Sequence, residues 1–93
     1  METGISSKVL EEICSLAIKY NVDYVLLFGS RARGDFRPRS DIDLAVKGAK
    51  DIELLRAQIE SIPTLRSFDI VDLDSCKNQL LLREIVKNGR KIL

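Results

Sequence analysis

The sequence predicts a small α/β (α+β) domain in which a mixed β-sheet carries helices on one face. Hydrophobic residues switch several times along the chain between helical spacing and either a continuous apolar run or strict alternation. The predicted order of elements is α-β-β-α-β-α, with a Gly- and Arg-rich segment between the first two strands. This order favours a sheet with helices packed on one face and the other face at least partly open.

Length and composition indicate one globular domain. The 93 residues suffice for a single domain, residues 1–93, and are too few for two. The chain is 45% hydrophobic and 31% charged, which is typical of a folded rather than a disordered protein. Because so small a domain has a thin core, we expect its ligand-binding surface to be shared with a second chain, either a different protein or another copy in a homo-oligomer.

Several classes of partner and site are disfavoured. The net charge of +1 provides no overall field for nucleic acid or an anionic membrane. With no histidine, and with Cys14 and Cys76 far apart, a zinc site is close to excluded, and both cysteines are predicted to be buried, reduced thiols. The longest apolar run is far too short to span a membrane, and the N-terminus does not resemble a signal peptide. We therefore expect a cytoplasmic protein.

Three longer helices follow from periodicity and capping residues. The first has Ser6 or Ser7 as its N-cap and ends near Asn21. The second begins near Asp51 and ends before Pro63, and the last is predicted to be capped by Ser75 and to stop at Gly89. Their apolar stripes are Ile5, Val9, Ile13, Leu16, Ala17 and Tyr20 in the first, Ile52, Leu55, Ile59 and Ile62 in the second, and Leu81 and Ile85, with Leu82 beside them, in the last.

Three strands are predicted between these helices. Tyr24–Phe28 is an apolar run of the kind that is buried on both faces of a sheet. Residues 41–46 alternate strictly, so that Asp41, Asp43 and Ala45 share one face while Ile42, Leu44 and Val46 share the other. Residues 68–73 form the third predicted strand.

Asp41 and Asp43 are candidate metal ligands. In a strand their side chains point the same way, about 7 Å apart along the chain. Two unpaired carboxylates on one face repel each other unless a cation lies between them. Oxygen ligands without His or Cys suit Mg²⁺ or Mn²⁺. The alternative is that both aspartates simply face water at a strand end.

Gly29 and Ser30 are candidate phosphate ligands. They directly follow an apolar strand and open a segment, residues 30–33, that can form a helical turn. Backbone N–H groups at such a turn, with a hydroxyl beside them, bind anions, and glycine lets a triphosphate approach closely. Taken alone, the dipeptide equally fits an ordinary turn. The combination Gly-Ser, ten residues, Asp-x-Asp arises by chance in roughly one chain in a thousand of this length.

These motifs resemble the polymerase-β-like nucleotidyltransferase superfamily, specifically its minimal (MNT) members. The resemblance rests on residues 26–34 (LLFGSRARG) and 40–44 (SDIDL). It extends to residues 82–85 (LREI) and 89–93 (GRKIL), which are similar to the closing helix of MNT proteins. It implies the polymerase-β-like fold and transfer of a nucleotidyl group from a nucleoside triphosphate through two divalent metal ions. The C-terminal domain that larger relatives place around the nucleobase and acceptor has no counterpart here.

The resemblance also implies a third carboxylate on a later strand, for which Asp69, Asp72 and Asp74 are candidates. If Phe68 and Ile70 face the helices, strand parity places Asp69 on the same side as Asp41 and Asp43. We therefore assign Asp69 as a metal ligand that also accepts, or helps to remove, the proton of the attacking hydroxyl. The alternative is a structural ion pair with Arg66 or another neighbour.

Four arginines, at positions 31, 33, 37 and 39, lie between the Gly-Ser pair and the aspartates. Arg33 belongs to the Gly-Ser-x-Ala-Arg-Gly string and is the predicted phosphate ligand, since guanidinium groups bind phosphate oxygens bidentately. It fits equally well as a structural residue that orients Asp41 or ties down the loop. Arg37 and Arg39 are expected to be solvated or to contact a partner.

Among MNT proteins, the closest resemblance is to antitoxins paired with HEPN ribonuclease toxins, some of which adenylylate a toxin tyrosine. That resemblance implies ATP as the donor, Mg²⁺ or Mn²⁺ as the cofactor, and a hydroxyl of a HEPN-type toxin as the acceptor. One alternative is a nucleotide-binding or contact-only antitoxin module without transfer activity. Another is transfer to a small molecule such as an aminoglycoside, which the missing acceptor domain disfavours.

Overall fold

A computed structural model describes residues 3–93, which form a four-stranded sheet with helices on both of its faces. All six elements in the predicted α-β-β-α-β-α order are present, and the turn expected after Gly29 is a short helix. The elements are α1 (Ser7–Lys19), β1 (Tyr24–Phe28), α2 (Gly29–Arg33), β2 (Ile42–Lys47), α3 (Ile52–Glu60), β3 (Phe68–Asp72), α4 (Gln79–Asn88) and β4 (Arg90–Lys91).

The sheet is mixed, in the order β3-β2-β1-β4. β1 pairs antiparallel with both β2 and β4, whereas β2 and β3 are parallel. The parallel pair needs a crossover connection, which α3 provides. The mixed sheet confirms the predicted fold class. β4 was not predicted, and residues 90–91 pair with β1 instead of continuing a closing helix.

Side-chain caps fix where the longer helices begin. The Ser6 hydroxyl accepts a hydrogen bond from the Val9 amide, and the Asp51 carboxylate accepts one from the Leu54 amide, both as predicted. The prediction of Ser75 as the cap of the last helix is wrong. Asn78 accepts from the Leu81 amide, while the Ser75 hydroxyl donates to Asp72 in the turn that follows β3. Ser75 and Asn78 are both common N-cap residues, and the sequence pattern did not show which of them caps the helix.

The main core lies between one face of the sheet and the helices α1 and α3. Its side chains come from the predicted stripes and from the alternating positions of β2. Burial of each large aliphatic side chain contributes about 1.5–3 kcal/mol to folding. The large aliphatic side chains almost wholly withdrawn from solvent are Ile13, Val25, Leu27, Ile42, Leu44, Val46, Leu55 and Ile59.

The opposite face is covered over part of its area by α4. Ile85 of this helix packs against Phe28 and Ala45. The expectation placed helices on one face, whereas α4 also covers part of the other face and forms a small second core there. The uncovered part of the same face carries Asp43 and Asp69, which lie two residues before Ala45 in β2 and Val71 in β3 and so share their face.

Both cysteines are free, as predicted, but each is only half-buried. The Cys14 thiol donates a hydrogen bond to the Ile92 carbonyl at 3.2 Å, and burial raises the pKa of this thiol. Cys76 lies in the loop between β3 and α4. The helices formed by residues 3–93 lack the length and apolar character that crossing a membrane requires.

Candidate active site

Strand pairing brings two of the predicted carboxylates together. Asp43 of β2 is the register partner of Asp69 of β3, and on its other side it is the register partner of Phe28 at the end of β1. Because the strands are parallel and the residues are paired, both carboxylates point to the same face of the sheet. Asp41 precedes β2 with the same parity. Asp43 is half-buried, whereas Asp41 and Asp69 are exposed.

Gly29 lies directly against the Asp43 carboxylate. A Cβ atom at position 29 would lie 2.1 Å from Oδ2 of Asp43, far inside van der Waals contact. Gly29 also has φ +73°, a left-handed conformation that side chains disfavour. Only glycine therefore fits between β1 and this carboxylate. The arrangement places the backbone of Gly29 and Ser30, at the start of α2, beside the aspartates.

The electrostatics of the site centre on Asp43, whose pKa is raised to about 6. Burial of the carboxylate is the largest cause, followed by the negative charges of Asp69 and Asp41. Arg33 and Arg31 act in the opposite direction. The site therefore holds an excess of negative charge, which favours a proton or a cation at this position.

The donor set fits a hard cation. Asp41, Asp43 and Asp69 offer only oxygen atoms, the ligands that Mg²⁺ and Mn²⁺ prefer. Within residues 3–93, no three acidic, thiol or imidazole side chains lie close enough together to hold a metal ion by themselves. An open set of carboxylates is compatible with Mg²⁺ in particular, since this ion is commonly bound by one or two carboxylates together with substrate phosphates.

The other two candidates for the third carboxylate make structural contacts at the end of β3. Asp72 accepts hydrogen bonds from the Ser75 hydroxyl at 3.0 Å and from the Asp74 amide at 3.1 Å. Asp74 forms an ion pair with Lys47 at 2.6 Å and accepts from the Gly48 amide, contacts that lower its pKa. Phe68 and Ile70 pack into the main core. This is the orientation of β3 from which Asp69 was predicted to be the third carboxylate.

Arg33 contacts one acidic side chain of α4 and one in the loop that follows α2. Its guanidinium forms an ion pair with Glu84 and a longer one with Asp35, at 3.3 Å, and these hydrogen bonds raise its pKa. Glu84 is held in turn by the Asn88 amide at 2.9 Å. Arg33 therefore joins α2 to α4, its side chain remains 39% exposed, and its charge acts to lower the pKa of Asp43. Sequence reasoning did not identify Glu84, which lies 51 residues further along the chain.

Arg31 is the structural arginine of this segment. Its guanidinium donates to the carbonyls of Ser40, Pro38 and Thr3, and its side chain is 1% exposed. Sequence reasoning assigned the possible loop-tying role to Arg33. No sequence signal separated the two arginines, since both lie in the same short helix and only its packing shows that Arg31 points inward.

A sequence family and several solved structures are similar to this chain. The family profile described as "Polymerase beta, Nucleotidyltransferase" matches residues 11–93. Among curated proteins none matches the chain in sequence. The structure is similar to that of a toxin-antitoxin solved with AMP-PNP, at 26% identity and a TM-score of 0.71, with 90% of this chain and 72% of the other covered.

Two further solved structures are similar. A protein of the toxin-antitoxin MntA-HpeT has a TM-score of 0.68 over 90% of this chain and 71% of its own; at 23% identity, this likeness concerns the fold alone. A Sulfolobus solfataricus protein described as a nucleotidyltransferase is 28% identical, with a TM-score of 0.54 over 90% of this chain and 76% of that one. Because the family match spans nearly the whole chain, this protein belongs to the polymerase β nucleotidyltransferase family.

Proposed function

We propose that this protein transfers AMP from ATP to a hydroxyl group of a partner protein, using Mg²⁺ or Mn²⁺ held by Asp41, Asp43 and Asp69. One observation carries the proposal: Asp43 is paired with Asp69 on one side and is in contact with Gly29 on the other. A nucleotide bound by its phosphates at Gly29 and Ser30 would therefore meet the carboxylates directly. Family membership supports the type of reaction.

The residues have distinct roles in the proposed reaction. The backbone N–H groups and the hydroxyl of Gly29 and Ser30 bind the terminal phosphates, and Arg33 adds a guanidinium on the same side. The acceptor oxygen attacks the α-phosphorus in line as the bond to the β-phosphate oxygen breaks, and pyrophosphate leaves with that electron pair. Asp69 accepts the proton of the attacking hydroxyl. Two divalent ions, when bound, lower the pKa of that hydroxyl and neutralise the phosphate charge.

The open site supports a protein acceptor. Asp41 and Asp69 are exposed, so the part of the chain that the structure describes leaves the acceptor side of the site without a covering wall. Holding the acceptor in line with the α-phosphorus provides much of the rate in such a transfer. A partner protein that carries its own hydroxyl would supply the missing wall. The similar structure of a toxin-antitoxin solved with AMP-PNP supports a toxin partner and ATP as the donor. We infer a HEPN-type toxin with an acceptor tyrosine, serine or threonine.

Intact-mass spectrometry of the partner tests the proposal. After incubation with this protein, ATP and Mg²⁺, the partner should gain the mass of one AMP, and it should gain nothing with the Asp41→Asn/Asp43→Asn variant. The second candidate function is inhibition by contact alone, which the engagement of Arg33 by Glu84 and Asp35 favours. That function predicts a tight complex in which the mass of the partner is unchanged.

A further inference from the structure

The segment between α2 and β2, residues 34–41, ends on Asp41 and contains no regular secondary structure. Its course decides where the Asp41 carboxylate stands relative to Asp43. Two contacts within the segment are local, since the Ser40 amide donates to the Arg37 carbonyl at 2.9 Å and the Arg37 amide donates to the Ser40 hydroxyl at 2.8 Å. These contacts close a turn and do not attach that turn to the rest of the domain.

Arg31 makes that attachment. Its Nε and Nη2 atoms donate to the Ser40 carbonyl at 3.2 and 2.8 Å, and Nη2 is also 3.4 Å from the Pro38 carbonyl. The Phe36 ring lies against the guanidinium, 4.9 Å from ring centroid to Cζ. Three positions of the segment are thus held by one side chain. The carbonyl of Ser40 is the last backbone acceptor before Asp41.

The same guanidinium reaches the N-terminal segment. Its Nη1 donates to the Thr3 carbonyl at 2.9 Å. Gly4, at φ +71°, is packed so closely that a Cβ atom there would lie 2.4 Å from the Phe36 ring and 2.7 Å from Nη1 of Arg31. The rigid fork of an arginine suits this position because its donors diverge in one plane toward several acceptors, which the single ammonium group of lysine cannot do.

Burial of this charge has an energetic cost that its contacts must offset. Among residues 3–93, Arg31 is the one buried side chain that is polar or charged. It forms no ion pair within 4 Å there and is satisfied by neutral carbonyls. From further away Arg66 repels it, while Asp43 and Asp41 attract it. These backbone partners hold the guanidinium in one place and so favour one arrangement of the surrounding chain.

We propose that Arg31 is a positioning residue that fixes residues 36–40 between α2 and the N-terminal segment and thereby sets the position of the Asp41 carboxylate. The importance of Asp41 rests on the proposed function, whereas the attachment of the loop does not. Arg31 touches neither phosphate nor metal in this account. It acts through the backbone of Ser40.

Amide hydrogen exchange on the protein without nucleotide tests the attachment. In Arg31→Gln and Arg31→Lys, the Arg37 and Ser40 amides should exchange about tenfold faster or more than in the wild type. The loop can then open without first breaking the contacts of the guanidinium group. Amides of β1 and β2 should keep their protection, which shows that the fold is intact. Arg39→Gln, an exposed arginine of the same loop, is the matched control and should leave exchange unchanged.

The consequence for the site is tested by Mn²⁺ affinity, measured by electron paramagnetic resonance, together with the kinetics of transfer. Arg31→Lys should weaken Mn²⁺ binding and lower kcat while leaving the KM for the acceptor near its wild-type value. Unchanged exchange at Arg37 and Ser40 in both variants would overturn the proposal, as would faster exchange with unaltered Mn²⁺ binding. If the wild-type protein binds no Mn²⁺ but the loop amides exchange faster in the variants, the metal site of the proposed function is refuted. The attachment of residues 36–40 by Arg31 is then still supported.

Discussion

Asp43 and Asp69 are register partners on the parallel strands β2 and β3, and the backbone of Gly29 lies against the Asp43 carboxylate from the end of β1. Three consecutive strands of the sheet, β1, β2 and β3, therefore converge on one acidic side chain. Backbone pairing, and not a flexible loop, fixes the spacing of the two carboxylates. Burial of Asp43, together with the negative charges of Asp69 and Asp41, makes its ionised form unfavourable, and this effect can be measured without any ligand.

The pH dependence of folding should report this unfavourable charge. The pKa of Asp43 is about 6 in the folded protein and about 3.9 in an unfolded chain, so the folded state binds more protons between these values. Stability from this residue is therefore present at low pH and is lost as pH rises through about 6. Asp43→Asn should be more stable than the wild type by about 1–2 kcal/mol at neutral pH, a figure reduced for partial exposure, with little difference near pH 4.

Urea unfolding in EDTA at acidic and neutral pH measures this difference. Asp74→Asn is the control of opposite sign, because Lys47 lowers the pKa of Asp74 and the ionised form stabilises the fold above the unfolded-state pKa. That variant should lose stability at neutral pH. An Asp43→Asn variant that is less stable than the wild type at neutral pH would show that the ionised Asp43 carboxylate does not destabilise the fold.

Gly29→Ala should damage the fold and the site together. The left-handed φ of +73° costs a non-glycine residue about 1–3 kcal/mol, and the new Cβ must displace the Asp43 carboxylate. Gly34→Ala is the matched control, since Gly34 has φ +92° and lies at the end of α2. Both variants should lose stability in urea titrations, but only Gly29→Ala should weaken Mn²⁺ binding. Equal Mn²⁺ affinities in the two variants would argue against contact between Gly29 and a metal-binding Asp43.

Asp69 and Asp72 should respond differently to the same substitution. Asp69→Asn removes the proposed proton acceptor and metal ligand and should slow transfer about a hundredfold or more. Asp72→Asn removes contacts to Ser75 and Asp74 in a turn and should leave most of the activity. Single-turnover transfer assays compare the two variants. The reverse order of activities would assign the third carboxylate to Asp72.

Glu84 should compete with nucleotide for Arg33. The Arg33 guanidinium is paired with Glu84, so a bound phosphate must share or replace that partner. Glu84→Gln should strengthen ATP binding a few-fold in titration calorimetry, while Arg33→Gln should weaken it. If Glu84→Gln weakens ATP binding instead, Glu84 orients Arg33 toward the phosphates rather than competing with them.

Much of the fold could be predicted because each signal was local. Strict alternation in residues 41–46 gave the two faces of β2, and parity placed Asp69 on the face of Asp41 and Asp43. The caps at Ser6 and Asp51 followed from residue type and position. Local patterns of this kind carry their information within a few residues, which is why they need no tertiary context.

The features that were missed depend on contacts distant in sequence. The two-residue strand β4 exists because Arg90 and Lys91 pair with β1, some 64 residues earlier. α4 covers part of the second face because Ile85 meets Phe28 and Ala45. Arg31 and Arg33 look equivalent in the sequence, and only the packing of α2 directs one inward to Ser40 and the other toward Glu84.

Titration calorimetry of ATP tests the central claim, that the aspartates and the Gly-Ser pair form one metal-dependent nucleotide site. The wild-type protein should bind ATP in the presence of Mg²⁺ or Mn²⁺ and bind it much more weakly in EDTA. Asp41→Asn/Asp43→Asn should keep its fold, since Asp41 is exposed and Asp43 is only half-buried, and should lose the metal-dependent part of the affinity. Equal affinity of the folded double variant and the wild type for ATP with Mg²⁺ would contradict the account.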